Sequence, residues 1–370
     1  MKQDPGLTGW LQLTLTPGLT SSVQRRLLAD FGLPEQILGR TRAQLAAYAS
    51  ADVIEALHSD AVAESAARAL AWAREPGHAI VTLADSGYPR ALLEIPDPPS
   101  LLYASGRVEL LMCPMLAVVG SRNATPQGES NAAAFAKVLS EAGLTIVSGL
   151  AMGIDAAAHR GGLAGPGSTV AVLGTGVDIV YPRRNAELAA QIAERGVLVS
   201  EFPLGSGPVA HNFPKRNRLI SGLARGCLVI EAAAASGSLI TARSAADQGR
   251  EVFAIPGSIH SPLSKGCHAL IKAGAKLVES AEDVLAELSG FRATGSASAA
   301  IPQRQAPRAA EQNALLVHMG HDPVDVDLLC TRAGWSAEQV SSELLRLELD
   351  GRVTVLPGGL YQRLEKGESR

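Results

Sequence analysis

The chain has 370 residues, 46% of them hydrophobic and 4% aromatic, with a formal net charge of −3. That length exceeds the usual single-core limit and implies two or three domains, and so apolar a composition excludes a disordered or fibrous chain. No apolar run reaches the roughly 18 uncharged residues of a membrane span, and the four widely spaced cysteines exclude a disulfide framework or a CxxC metal site.

The N-terminus, MKQDPGLTGW, places an acid and a proline where a signal peptide carries its apolar segment, so a cytoplasmic protein is expected. Residues 7–75 then read as short helices: LQLTLT, SVQRRLLADFG, TRAQLAAYA and a long Ala-rich run from Ala51 to Arg74. Pro17-Gly18 and Gly32-Leu33-Pro34 are the joints. Residues 1–77 are thus expected to form a helical, SAM-like domain. With 7 Lys/Arg against 8 Asp/Glu, they suit a structural or partner role better than contact with a DNA backbone.

A Pro-rich connector, DSGYPRALLEIPDPPSLLYASG, closes on apolar segments that read as a packed strand pair. Beyond it apolar β runs alternate with helices. The runs are MLAVVG, LTIVSG, STVAVLG, VLVSE, CLVIEA, EVFAIPG and KLV, and the helices begin near Gln127, Asp155, Asn185, Ser238 and Lys265. Near-continuous Val/Ile/Leu strands separated by helices specify a parallel sheet buried on both faces. The fold class is α/β, an extended Rossmann-like parallel sheet over residues 78–289.

Residues 290–308, rich in Ala, Ser, Pro and Gln, read as a flexible linker. Residues 309–370 read as three helices and a hairpin at Pro357-Gly358-Gly359, the plan of a winged-helix domain. Its third helix, within 336–350, sets Glu338, Glu343, Glu348 and Asp350 against Arg346 alone. Phosphates repel such a helix, so a protein-contact or regulatory role is expected rather than groove recognition.

Ligands of an open parallel sheet bind where the loops after its strands gather. Those loops are Gly120-Ser121-Arg122, Ser148 to Gly153, Gly174-Thr175-Gly176, Ser236-Gly237-Ser238 and Pro256-Gly257-Ser258. Glycine lets backbone approach a phosphate, helix N-termini aim N–H groups at it, and Arg122 adds a fixed charge; the same residues also serve plain strand-to-helix turns. The stretch HNFPKRNRLISG, 211–222, puts Phe213 beside Lys215, Arg216 and Arg218, with Asn217 between two of the cations. A nucleic-acid strand needs cations for its phosphates and a flat apolar surface for its bases, and this window supplies both. Residues 211–250 hold six cations against two acids, so positive charge is concentrated there.

Signals for catalysis are weak. No G-x-x-x-x-G-K-[ST] or G-x-G-x-x-G occurs, and the eight histidines form no HExxH pattern. His159, His211, His260 and His268 stand alone. Asp155 and Glu231 fit acid–base chemistry or the anchoring of loops. No catalytic residue, metal ligand or cofactor is expected.

AVVGSRNATPQG, TIVSGLAMGIDAAAH, TVAVLGTGVDIVYPRRN, SEFPLG, FPKRNRLISGL, VIEAAAASGSLITARSAADQGREVFAIPGS and GCHALIKAGA resemble, in this order, the motifs of the DNA-processing protein A (DprA, or Smf) family. The resemblance runs from about Ala117 to Val278. It implies a non-catalytic protein of natural transformation that binds and shields incoming single-stranded DNA, helps load the RecA recombinase, and dimerises through the Rossmann-like domain. By the family's pattern the strand-binding residues are Gly120, Ser121, Arg122, Phe213, Lys215, Arg216, Asn217, Arg218, Ser236, Gly237 and Ser238. The alternative is a nucleotide-processing enzyme of the phosphoribohydrolase type, whose PGGxGTxxE loop is reduced here to Pro256-Gly257-Ser258. In PLSKGCHALIKAGAK, 262–276, the apolar stripe of Leu263, Leu270 and Ile271 serves either core packing or an interface.

Overall fold

A computed structural model describes residues 5–288, 314–320 and 323–364; the expected linker at 290–308 lies outside them. The chain opens with six helices, α1 (Pro5–Leu15), α2 (Ser21–Phe31), α3 (Pro34–Leu38), α4 (Arg42–Leu45), α5 (Ala51–Leu57) and α6 (Asp60–Trp72). The Ala-rich run divides into two helices because Ser59 intervenes: its hydroxyl accepts the Val62 N–H and caps α6. Pro34, read from the sequence as part of a joint, instead starts α3, where its missing N–H costs nothing.

The sheet is laid down by β1 (His78–Thr82), α7 (Arg90–Leu93), β2 (Leu101–Gly106), β3 (Met115–Val119), α8 (Pro126–Glu141), β4 (Thr145–Ser148), α9 (Ile154–Leu163) and β5 (Thr169–Val172). It continues through α10 (Ala186–Arg195), β6 (Val197–Ser200), α11 (Asn212–Leu223), β7 (Gly226–Val229), α12 (Ser238–Asp247), β8 (Glu251–Ala254), α13 (Lys265–Lys272), β9 (Lys276–Leu277) and α14 (Ala281–Glu287). These nine strands form one sheet in the order β1-β2-β6-β5-β4-β3-β7-β8-β9. From β6 to β9 every pairing is parallel, while β2 runs antiparallel to β6 and to β1. The strand pair expected near the connector is therefore an antiparallel addition to a Rossmann-like core.

Alternation along the strands builds a core on each face. In β3, Met115, Ala117 and Val119 point to one cluster, and Leu116 and Val118 to the other. The first face is covered by α11 and α12 (Leu219, Leu223, Leu239, Ala242) and by Tyr88, Leu92 and Ile95 from the connector. Across the sheet lie α8, α9 and α14, and beyond them α10 with α1 and α6, whose Trp10, Leu11, Ala66 and Ala69 pack on Leu101, Tyr103 and Leu198. Each fully buried Leu or Val side chain contributes about 1.5–3 kcal/mol of transfer free energy. The N-terminal helices also keep a core of their own around Leu13, Leu27, Ile37 and Ile54.

The chain order of the strands fixes where a ligand can sit. From β3 the chain proceeds through β4, β5 and β6 in one direction, then returns to place β7 on the other side of β3. The loops leaving β3 and β7 diverge, and a crevice opens between them at this reversal.

The tail holds α15 (Ala314–Met319), α16 (Val326–Ala333) and α17 (Ala337–Leu349), followed by the hairpin β10 (Val353–Leu356) and β11 (Leu360–Arg363). Leu316, Leu329, Val340, Leu344, Leu347 and Val353 make its core, in the winged-helix arrangement. Among the described residues no helix is long and apolar enough to cross a membrane.

Candidate nucleic-acid interface

The crevice at the sheet reversal is a cavity of about 460 Å³. Gly120, Ser121, Arg122 and Asn123 line it from the β3–α8 loop, and Ser236, Gly237 and Ser238 from the β7–α12 loop. The third wall is α11, through Phe213, Arg216, Asn217 and Ile220. These four stand at i, i+3, i+4 and i+7, one stripe of a helix.

Internal hydrogen bonds hold the two loops. Thr125 caps α8 by accepting the Gly128 N–H at 3.0 Å, and its own hydroxyl and N–H donate to Glu231 at 2.6 and 2.9 Å. Burial raises the Glu231 pKa, and the bonds from Thr125 act against that rise. Ser236 Oγ lies 2.8 Å from Ser238 Oγ and accepts the Ser238 N–H, which shapes the turn into α12. Ser121 Oγ accepts the Asn123 N–H at 3.1 Å, and Ser121 O accepts from Ile154 N, tying this loop to the start of α9.

The exposed Arg122 has no carboxylate partner among the described residues, and its guanidinium carbon lies 5.9 Å from the centre of the Phe213 ring. Phe213 is half-buried. Its ring rests on the backbone at Gly174, where a Cβ would come within 2.7 Å of the ring edge. Tyr181, in the loop after β5, stands with its ring centre 5.6 Å from that of Phe213 and tilted by 47°. The sequence reading passed over Tyr181, although it lies within YPRRN, because a single tyrosine in a loop carries no periodic signal.

The cation cluster of 215–218 does not face one way. Arg216 lines the cavity but is only 4% exposed. Its guanidinium donates to Val172 O and lies against the backbone at Gly149, where any Cβ would overlap it. Burial lowers the Arg216 pKa to about 10 while the nearby Asp155 acts against the fall, so Arg216 stays charged at neutral pH. Asp155 in turn accepts from Gly149 N at 3.1 Å, so it anchors a loop.

Arg218 and Lys215 lie on a different stripe of α11 and outside the cavity lining. Arg218 donates to Glu201 at 2.6 Å and to Asp97 at 3.2 Å, and Arg25 of α2 pairs with the same Asp97. Burial pushes the Asp97 carboxyl up, but the two arginines outweigh it and leave its pKa below the ordinary value. Lys215 remains exposed, with Nζ 3.7 Å from Glu201 and 5.5 Å from the Phe202 ring centre. The row of cations seen in the sequence thus splits into a cavity face and an ion-pair network reaching the N-terminal helices.

Below the cavity the loop after β4 is fixed by His159. Leu150, at φ 57°, donates its N–H to His159 Nε2 at 3.2 Å, and Asn185 Nδ2 donates to Leu150 O at 2.9 Å. His159 Nδ1 lies 2.7 Å from Thr169 Oγ1, which itself donates to Ile146 O. The loop Pro256-Gly257-Ser258 does not line the cavity, and among the described residues no group of three His, Cys, Asp or Glu side chains is placed to hold a metal ion.

Comparison with known proteins finds relatives of both the sheet domain and the tail. Residues 79–289 match the family model of DNA recombination-mediator protein A, and residues 299–359 match that of the DprA winged helix domain. The Smf protein of Escherichia coli K12 is 43% identical over 310 residues, which cover 80% of each chain. The crystal structure of DNA processing protein A from Streptococcus pneumoniae superposes with a TM-score of 0.61 at 38% identity, covering 75% of this chain and 97% of that one. DNA processing protein A of Helicobacter pylori, whose structure was described for its single-stranded DNA binding mode, gives 0.51 at 29% identity over 55% of this chain and 93% of that one. With a family model matching more than half its length, and with the Rossmann-like sheet and winged helix both in place, this chain belongs to the DNA recombination-mediator protein A family, the DprA and Smf proteins.

Proposed function

We propose that the chain binds single-stranded DNA at the crevice between the β3 and β7 loops, protects the strand during natural transformation and helps load it with the RecA recombinase. It does so without catalysing a reaction, in the cytoplasm, as a homodimer joined through the Rossmann-like domain of residues 78–289. One observation carries this reading: the guanidinium of Arg122, without a carboxylate partner among the described residues, lies over an aromatic ring, Phe213, at the topological reversal of the sheet. Phosphate and base find their partners there together. The relationship to the Helicobacter pylori protein supports it.

Within this reading Arg122 is the principal phosphate contact and Phe213 the stacking surface. Gly120, Ser121, Asn217, Ser236, Gly237 and Ser238 offer hydrogen bonds along the cavity. Arg216 supplies a fixed positive charge beneath it, Lys215 a rim cation shared with Glu201, and Arg218 positions α11. The acidic α17 faces protein partners, and residues 1–77 serve as a structural domain.

Fluorescence-anisotropy titration of single-stranded against double-stranded oligonucleotides at two salt concentrations tests the proposal. Single strands are expected to bind more tightly, because a base can lie on Phe213 only when unpaired. Equal affinity for the two forms ends the stacking assignment, and no binding at low salt ends the whole reading.

A further inference from the structure

Tyr181 is the exposed aromatic among the described residues. Among the described residues every other Phe, Tyr and Trp is buried or half-buried, whereas Tyr181 is 46% exposed in a chain with only 4% aromatic residues. Its hydroxyl makes no hydrogen bond among the described residues, so no polar anchor explains its place on the surface. An unanchored ring in water loses the transfer free energy that burial would return. Next to it stands Phe213, tilted by 47° with ring centres 5.6 Å apart.

The loop that carries Tyr181 is braced at several points. Thr175 Oγ1 donates to Ile179 O at 2.6 Å, Asp178 accepts the Gly205 N–H at 2.9 Å, and the buried Asn185 donates to Leu150 O. A ring held by such a frame loses little freedom when a flat partner settles on it. Two exposed cations, Arg183 and Arg184, follow after Pro182 and have no carboxylate partner among the described residues. Aromatic ring and cations thus stand together in one short run of chain, beside the ring of Phe213.

We infer that Tyr181 is a second stacking platform for the strand, receiving the base next to the one on Phe213, with Arg183 and Arg184 meeting the phosphates beyond. This inference rests on the single-strand reading of the cavity and extends its binding track out of the cavity across the β5–α10 loop. Two adjacent platforms require at least two consecutive unpaired bases, so the site takes a continuous single strand in preference to a lone nucleotide.

The test is anisotropy with labelled oligo-dT and with an abasic sugar-phosphate strand of the same length, using wild type, Tyr181→Ala, Tyr181→Leu and Tyr181→Phe. Tyr181→Ala and Tyr181→Leu are expected to weaken oligo-dT binding by roughly 5- to 150-fold, the range set by the loss of one base stack. Tyr181→Phe keeps the ring and should bind like wild type. The abasic strand should bind all four proteins alike, and the salt dependence on oligo-dT should not change. Oligo-dT affinity in Tyr181→Ala equal to wild type overturns the platform, as does an equal loss on the abasic strand. In either case intact wild-type binding leaves the strand-binding reading of the cavity standing; a wild type that binds no oligo-dT removes both.

Discussion

Arg122 and Arg218 carry the same guanidinium, and their neighbours assign them different tasks. Arg122 is exposed beside a ring with no carboxylate against it among the described residues, whereas Arg218 is consumed by Glu201 and Asp97. Arg122→Ala is therefore expected to weaken single-strand binding at every sequence and to flatten the slope of log affinity against log salt by about 0.7, the value for one phosphate contact on a single strand. An unchanged slope in that titration removes Arg122 from the phosphate track. His159 is the other residue whose surroundings settle its state. Because Nε2 accepts the Leu150 N–H, the neutral ring carries its proton on Nδ1, toward Thr169. Burial, with the charges of Arg216 and Arg160, pushes its pKa down to about 3. A base whose folded pKa lies below its unfolded value of 6.5 contributes stability that is whole above that value and lost as pH falls toward 3. Asp155, raised by burial against the pull of Arg216, acts in the opposite sense at the acid end. Nitrogen-15 NMR should show His159 as the neutral Nδ1–H tautomer from pH 8 to 5; a protonated ring near pH 6 contradicts the buried chain of hydrogen bonds.

At the scale of elements, α11 decides which side chains meet the cavity. Phe213, Arg216, Asn217 and Ile220 form one stripe of the helix, and Lys215 with Arg218 another. The first spacing is visible in the primary sequence once the window is taken as helical. The second stripe's partner, Glu201, is legible only as the end of a strand, because nothing local announces that a carboxylate eleven or more positions back will fold under the helix. Removing Arg218 leaves the buried Glu201 with the Lys215 ammonium at 3.7 Å as its remaining partner, so Arg218→Ala is expected to cost about 3 kcal/mol in urea denaturation, the low end for breaking a buried pair. The paired change Arg218→Met with Glu201→Leu should recover most of it. If Arg218→Ala is as stable as wild type, the network does not hold the helix. The strands themselves were readable because runs such as MLAVV, and VLV within VLVS, are continuously apolar, as strands buried on both faces are. The division of the Ala-rich run at Ser59, and the short helix α3 beginning at Pro34, were not, because capping and first-turn proline compete with joint signals of the same composition.

For the whole molecule, the alternation of apolar runs with helices announced an α/β core but not the direction in which the sheet is wound. The loops after β3 and β7 both appeared in the sequence as Gly/Ser turns of equal weight to those after β4, β5 and β8. Only the strand order singles out the first and the third wall between them, and only the fold brings Tyr181 beside Phe213. The apolar stripe of α13 also changes meaning in three dimensions. Leu270 and Ile271 are partly buried against the main core, so they pack inward, while Leu277 on β9 stays exposed at the sheet's edge.

The reversal of strand order has a consequence for how the protein melts. One wall of the cavity comes from the half of the sheet built by β3 to β6, and the facing wall from the half begun by β7, so neither half alone encloses a ligand. A strand lodged there works as a clasp across the seam between the two halves of one sheet. Saturating oligo-dT should raise the unfolding temperature of both halves together, by the equivalent of about 2.7 kcal/mol at a hundred times Kd. Hydrogen exchange should slow in β4 and in β8 alike, although the chain passes from one to the other across roughly a hundred residues. Protection confined to one side of the seam places the strand elsewhere on the surface.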